Sequence, residues 1–200
     1  MTPKRVSLAA GGAALLALLA VGLIQLAGSS TPAARRSKLT LAQMQASLAG
    51  APAPLAALHA QASELLEGGA PALKARLTAL RGRPIVINKW ASWCVPCRSE
   101  FGAFQQASLA LGREVAFVGI DSADTSRAAA RSFLRSFPVS YPSYYDRSGA
   151  LGTKITDSTF TPVTVFFDRS GAEYIRQGPY PSGAKLEADV RRYALDEKAA

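Results

Sequence analysis

From Val6 to Gly28 the chain carries no charged residue, and Leu, Val and Ile dominate the second half of that run. As a helix the run would be about 35 Å long, enough to cross a hydrocarbon core of about 30 Å, and a helix satisfies its own backbone in lipid. Residues 1–28 are therefore expected to form one transmembrane helix, an anchor. A cleaved signal peptide is the alternative, with Leu26-Ala27-Gly28 before Ser29 as a weak cleavage pattern. No cysteine lies there to carry a lipid. Lys4 and Arg5 precede the run, and Arg35, Arg36 and Lys38 follow it, so charge counting leaves the orientation open. Residues 29–38 read as a polar linker.

Beyond the linker, apolar residues recur at helical spacing. They fall at Leu41, Met44 and Leu48, at Leu55, Leu58, Ala62, Leu65 and Leu66, and at Leu73, Leu77 and Leu80. The segment Gly50-Ala-Pro-Ala-Pro54 separates the first two groups, Gly68-Gly69 ends the second, and Pro71 stands near the start of the third. The pattern predicts a helical lead-in over 39–82, packed on a main domain over 83–200. His59, the only histidine, is expected on a helix at or near the surface.

At Arg83 the period changes. Pro84–Asn88 and Glu114–Ile120 are short apolar runs rich in β-branched residues, as buried strands are. A helix is predicted to start around Cys94 to Pro96. Thr125–Phe137 reads as an amphipathic helix with Ala129, Phe133 and Leu134 inward, and Pro138–Tyr145 as extended chain. A short helix near Gly149–Ile155 leads to a third strand, Val163–Asp168. The turn Asp168-Arg-Ser-Gly171 allows Ala172–Gln177 to pair back as a hairpin. Ser182–Leu195 reads as a terminal helix with Leu186, Val190, Tyr193 and Leu195 inward. This order implies an α/β fold: a mixed sheet, partly parallel with an antiparallel edge, flanked by helices.

Hydrophobic residues make up 48% of the 200 residues and charged ones 18%, so a packed core is available and disorder is excluded. Net charge is +9. Five of the basic residues flank the N-terminal apolar run, and the rest are scattered without interleaved aromatics, which argues against a nucleic-acid groove.

Only two cysteines are present, and both lie in Trp93-Cys94-Val95-Pro96-Cys97, directly after a predicted buried strand. At a helix N-terminus this spacing puts both sulfurs on one face. The first thiol meets the unpaired amides and the positive end of the macrodipole, which lowers its pKa below about 8.5. Cys94 is then the exposed attacking thiolate, and Cys97, one turn further on, resolves the mixed disulfide. Zinc would need two more ligands, and haem attachment would need His where Arg98 stands. A disulfide closing so short a loop adds little stability. No cofactor or metal is expected.

The segment Asn88-Lys-Trp-Ala-Ser-Trp-Cys-Val-Pro-Cys-Arg-Ser-Glu100 resembles the active-site segment of the thioredoxin superfamily, and most of all the TlpA/ResA-like thiol–disulfide oxidoreductases of an actinobacterial type. Thr161-Pro-Val-Thr-Val-Phe-Phe-Asp168 resembles the family's second signature. The helix and extended stretch over 125–145 correspond to that branch's insertion. The resemblance implies a thioredoxin-like fold, a cis Pro162 beside the sulfurs, and a Thr161 backbone free to pair with an extended substrate segment. Trp90 and Trp93 would shape the site. It also implies an extracytoplasmic domain acting on protein disulfides, a membrane electron-donating reductase as partner, and cytochrome c maturation as one family role.

Two departures stand out. Asn88 replaces a buried Asp of thioredoxins proper and cannot carry a proton. The acid–base partner of Cys97 is then water or another group, and Glu100, which resembles an acidic residue of the ResA-like branch, is a candidate; a solvated helix glutamate is the other reading of that position. Ser158-Thr-Phe-Thr161 replaces the family's commoner glycine. Dithiol reduction of protein disulfides is the expected activity. An oxidase or isomerase on the same scaffold, and a non-catalytic interaction module, are the competing readings.

Overall fold

Two of the strands read from the sequence are buried on both faces and form the middle of the sheet. The computed structural model describes residues 39–197. In chain order, the elements are α1 (Leu41–Ser47), α2 (Ala53–His59), β1 (Leu65–Leu66), α3 (Gly69–Ala79), β2 (Ile85–Trp90), α4 (Val95–Leu111), β3 (Ala116–Ser122), α5 (Arg127–Ser136), β4 (Ser143–Asp146), α6 (Ala150–Thr156), β5 (Val163–Phe167), β6 (Glu173–Gln177) and α7 (Gly183–Tyr193). Every residue of β2 and β3 is buried, and a strand covered on both sides tolerates an uninterrupted apolar run.

The six strands lie in the order β1-β4-β3-β2-β5-β6. β1, β4, β3 and β2 are mutually parallel, and β5 and β6 add antiparallel. Side chains alternate across the sheet. On one face Val86, Trp90, Phe117 and Phe166 pack with Phe101 and Phe104 of α4, Phe133 of α5 and Leu186 and Val190 of α7. On the other, Ile85, Ile87, Val118, Ile120 and Val165 pack with Leu55 and Leu58 of α2, Leu73 of α3 and Leu151 of α6. The expected mixed sheet flanked by helices is the observed architecture.

Several local expectations change. The second helix of the lead-in ends at His59, and Leu65–Leu66 is a strand. Ser63 takes a left-handed φ of 57°, its amide bonds to the Tyr141 carbonyl, and Ser143 bonds back to Glu64. Pairing with β4 thus supplies the hydrogen bonds that a longer helix would have made, and the lead-in contributes an edge to the sheet. His59 is buried, and loss of hydration draws its imidazole below the ordinary value, so it is a neutral core residue. α5 starts at Arg127, capped by Ser126; this register buries Ala130 and leaves Ala129 exposed. Of the expected extended stretch 138–145, only Ser143 onward pairs as strand. The expected anchor or signal over 1–28 and the linker over 29–38 lie outside the described residues. Among those described, no helix is long and apolar enough to cross a membrane.

Close packing behind the sheet's C-terminal edge gives a direct stability test. A Cβ at Gly119 would run into the Ser143 hydroxyl and stand 3.1 Å from Trp90 Nε1, the two groups joined by a 3.0 Å hydrogen bond. Gly119→Ala is expected to lower unfolding free energy by about 1–3 kcal/mol, read as a shift in urea midpoint.

Candidate active site

β2 ends at Trp90, and the chain turns through Ala91 to Trp93 before α4 begins. The Cys94 amide bonds to the Ala91 carbonyl at 3.2 Å, which closes the turn and leaves Cys94 as the extended N-cap of α4. Its Sγ accepts the Cys97 amide at 3.1 Å. A helix N-terminus has amides without intrahelical acceptors, and here one of them is aimed at sulfur. Pro96 occupies the first turn, where its missing N–H has no intrahelical partner to lose.

Cys94 and Cys97 are joined as a disulfide, with Cα atoms 5.3 Å apart. Cys94 retains 3% exposure and Cys97 none. The order of access matches the expectation, but Cys94 is not the exposed residue the sequence implied. Bonded inward to Cys97, it leaves the surface to its neighbours Trp93, 59% exposed, and Val95, 75% exposed.

The second signature arrives from β5. Val163 pairs with Lys89 in antiparallel register, so Thr161 and Pro162 leave the sheet at the end where β2 delivers Trp93 and Cys94. The Thr161–Pro162 peptide is cis. Pro162 is buried and Thr161 half-buried, while Phe160 projects with 72% exposure. The two tryptophans differ. Trp90 is fully buried, edge-on to Phe101 and stacked on Phe133. Trp93 lies at the surface, its indole N–H donating to the Ala123 carbonyl at 3.1 Å.

Glu100, one turn beyond Cys97 on α4, is 0% exposed; the solvated reading does not hold. Oε2 accepts the Tyr180 amide at 3.1 Å, and Oε1 makes no hydrogen bond within the protein. Burial pushes the carboxyl up to about 8, against smaller downward pulls from the Tyr180 amide and the Arg176 charge. A carboxyl poised near neutral pH can both take and give a proton. Asn88 is also buried, on the strand leading to the cysteines.

Four contributors were not singled out from the sequence. Tyr180 holds Glu100 by its amide, while its own hydroxyl donates to Asp189 at 3.0 Å and Arg176 covers its ring at 4.0 Å; nothing local announces this. Asp124 braces the cysteine turn, accepting the Ser92 amide at 2.8 Å and the Ser126 amide at 3.0 Å. Asp121, fully buried at the end of β3, is pushed up to about 8, first by burial and then by Asp124 and Asp146. A carboxylate ending an apolar strand was the available signal for it. Lys89, buried on β2, is the fourth.

The Redoxin family profile matches residues 48–186. The thiol:disulfide interchange protein DsbE of Pseudomonas fluorescens biotype C is 33% identical over 93 residues, 46% of this chain and 49% of that protein. The thiol-disulfide oxidoreductase ResA of Bacillus subtilis (strain 168) is 30% identical over 71 residues, 35% of this chain and 39% of that protein. The chain thus spans about half the length, or less, of these curated relatives. Among solved structures, MTB dsbF in its mixed oxidized and reduced forms superimposes with a TM-score of 0.52 at 26% identity, covering 57% of this chain and 83% of that one. On a matched segment that takes in the sheet, the paired cysteines and the cis-proline strand, the chain belongs to the Redoxin family and has a thioredoxin-like fold.

Proposed function

We propose that the protein reduces disulfides in other proteins by dithiol exchange outside the cytoplasm. The observation that carries this reading is the Cys94 sulfur at the α4 N-cap, accepting the Cys97 amide, with the buried Glu100 one turn below. In the reduced protein the Cys94 thiolate attacks one sulfur of a partner disulfide, and the other partner sulfur leaves as a thiolate. Cys97 then attacks Cys94 Sγ, its proton passing to the ionised fraction of Glu100, which grows as pH approaches about 8, and the second partner sulfur departs as a thiolate. Two electrons move to the partner, and the Cys94–Cys97 bond remains. Exposed Trp93 and the Thr161 backbone, set by Pro162, receive the partner segment.

The oxidised protein needs a reductant of dithiol class. We assign that role to a membrane electron-donating reductase, with this protein tethered through 1–28 and its domain over 83–200 carried on the lead-in over 39–82. A uncleaved anchor fits this exchange better than a released form, because both partners then share one membrane. Cytochrome c maturation is the process this reading serves, its substrate being a polypeptide disulfide ahead of haem attachment.

The test is the reduction potential of the chain from Thr40 onward, together with dithiothreitol-driven insulin reduction. A potential nearer the roughly −270 mV of thioredoxin, with catalysed insulin reduction, is the expected result. A value near about −120 mV, that of a strong oxidant, would turn the assignment to an oxidase.

A further inference from the structure

Lys89 is the anomalous residue of β2. Val86, Ile87 and Trp90 around it are apolar and fully buried, and Lys89 is buried with them at 1% exposure. A charged amine is retained in such a place only where acceptors surround it. Alternation sends its side chain to the face of Ile85 and Ile87, toward α6. There Nζ donates to the Ser158 carbonyl and lies 3.5 Å from Thr156 Oγ1. The Asp146 carboxylate supports the charge against the loss of hydration, which draws the amine below its ordinary value. The packing makes room for it, since a Cβ at Gly152 would come within 3.0 Å of Lys89 Cε.

The bonds continue along the chain. Thr156 Oγ1 is 2.8 Å from the Gly152 carbonyl and 3.1 Å from that of Ser158. Ser158 Oγ accepts the Phe160 amide at 3.1 Å. The segment from Thr156 to Phe160 is therefore held from inside the sheet, and the next two residues are Thr161 and Pro162.

We propose that Lys89 is a positioning residue for substrate, whose hold on the Ser158 carbonyl sets the Thr159–Pro162 segment against the cysteine turn. One strand then locates both sides of the site, since β2 carries Lys89 and hands directly to Trp93 and Cys94. The inference rests on the proposed function, because a docking segment matters only if the substrate is a polypeptide. Loss of the amine should weaken docking rather than sulfur chemistry.

The experiment is steady-state insulin reduction with dithiothreitol regeneration, comparing wild type, Lys89→Met and Thr156→Val. Lys89→Met should raise KM about tenfold with kcat within about twofold, and Thr156→Val should raise KM about threefold. An unchanged KM in Lys89→Met, or a fall in kcat at constant KM, overturns the inference. If far-ultraviolet circular dichroism shows that Lys89→Met does not fold, Thr156→Val decides, and an unchanged KM there overturns it. A wild-type protein without insulin reductase activity overturns the proposed function and this inference with it; active wild type with unchanged variants overturns this inference alone.

Discussion

Cys94→Ser should abolish disulfide reduction, and Cys97→Ser should instead accumulate a mixed disulfide with substrate. The asymmetry follows from position. Cys94 is the N-cap of α4 and its sulfur already accepts an amide, so it is the thiol whose anion the helix terminus stabilises. Cys97 has no exposure and cannot meet another protein's disulfide, but it can reach Cys94. Without Cys97 the first exchange proceeds and the second stops. Non-reducing electrophoresis after mixing with an oxidised protein substrate reads the difference. A mixed disulfide trapped by Cys94→Ser rather than by Cys97→Ser would reverse the assignment, and wild-type turnover in either variant would remove the dithiol mechanism.

Glu100→Gln should slow turnover by about a hundredfold, in line with loss of a positioned proton-transfer group, and should remove the pH-rate limb expected of wild type near pH 8. Its stability should move the other way. The buried Glu100 carboxyl holds its proton up to about 8, against an ordinary 4.5. Between those values the unfolded chain has lost the proton and the folded one keeps it. Folded stability therefore falls as pH rises from about 4.5 to about 8, and the contribution is flat outside that window. Glutamine keeps a carbonyl for the Tyr180 amide and has no proton to lose. Relative to wild type, oxidised Glu100→Gln should gain up to roughly 5 kcal/mol across the window, measured as urea midpoints from pH 5 to 9. Asp121, raised from 3.8 to about 8, adds a slope of the same sign that remains in the variant. Parallel midpoint curves for the two proteins, with an unaltered rate profile, would show that Glu100 does not titrate in this range.

The parts of the fold that were legible are those whose pattern is local. β2 and β3 were visible because a strand covered on both faces is a run of apolar residues. α4 was visible because its N-terminal turn carries Pro96 and the cysteines. Errors fell where distant partners decide. Leu65 and Leu66 have helical spacing from Leu58, but the backbone of 141–143 draws them into the sheet. Ala129 and Ala130 are indistinguishable in composition, and it is Ala130 that packs into the cluster shared with α4 and the sheet.

The exchange chemistry was readable from the chain because it depends on two sulfurs three residues apart at a strand-to-helix junction, a geometry set by covalent connection and helix pitch. What the sequence could not supply was the state of the charged groups around them. Glu100 is a neutral, buried acid only because α4 is roofed by the segment carrying Tyr180, eighty residues away in the chain. Lys89 is a tether only because α6 ends at its amine. Hydration is lost, and hydrogen-bond partners are gained, when remote segments close over a residue, so these roles belong to the tertiary structure.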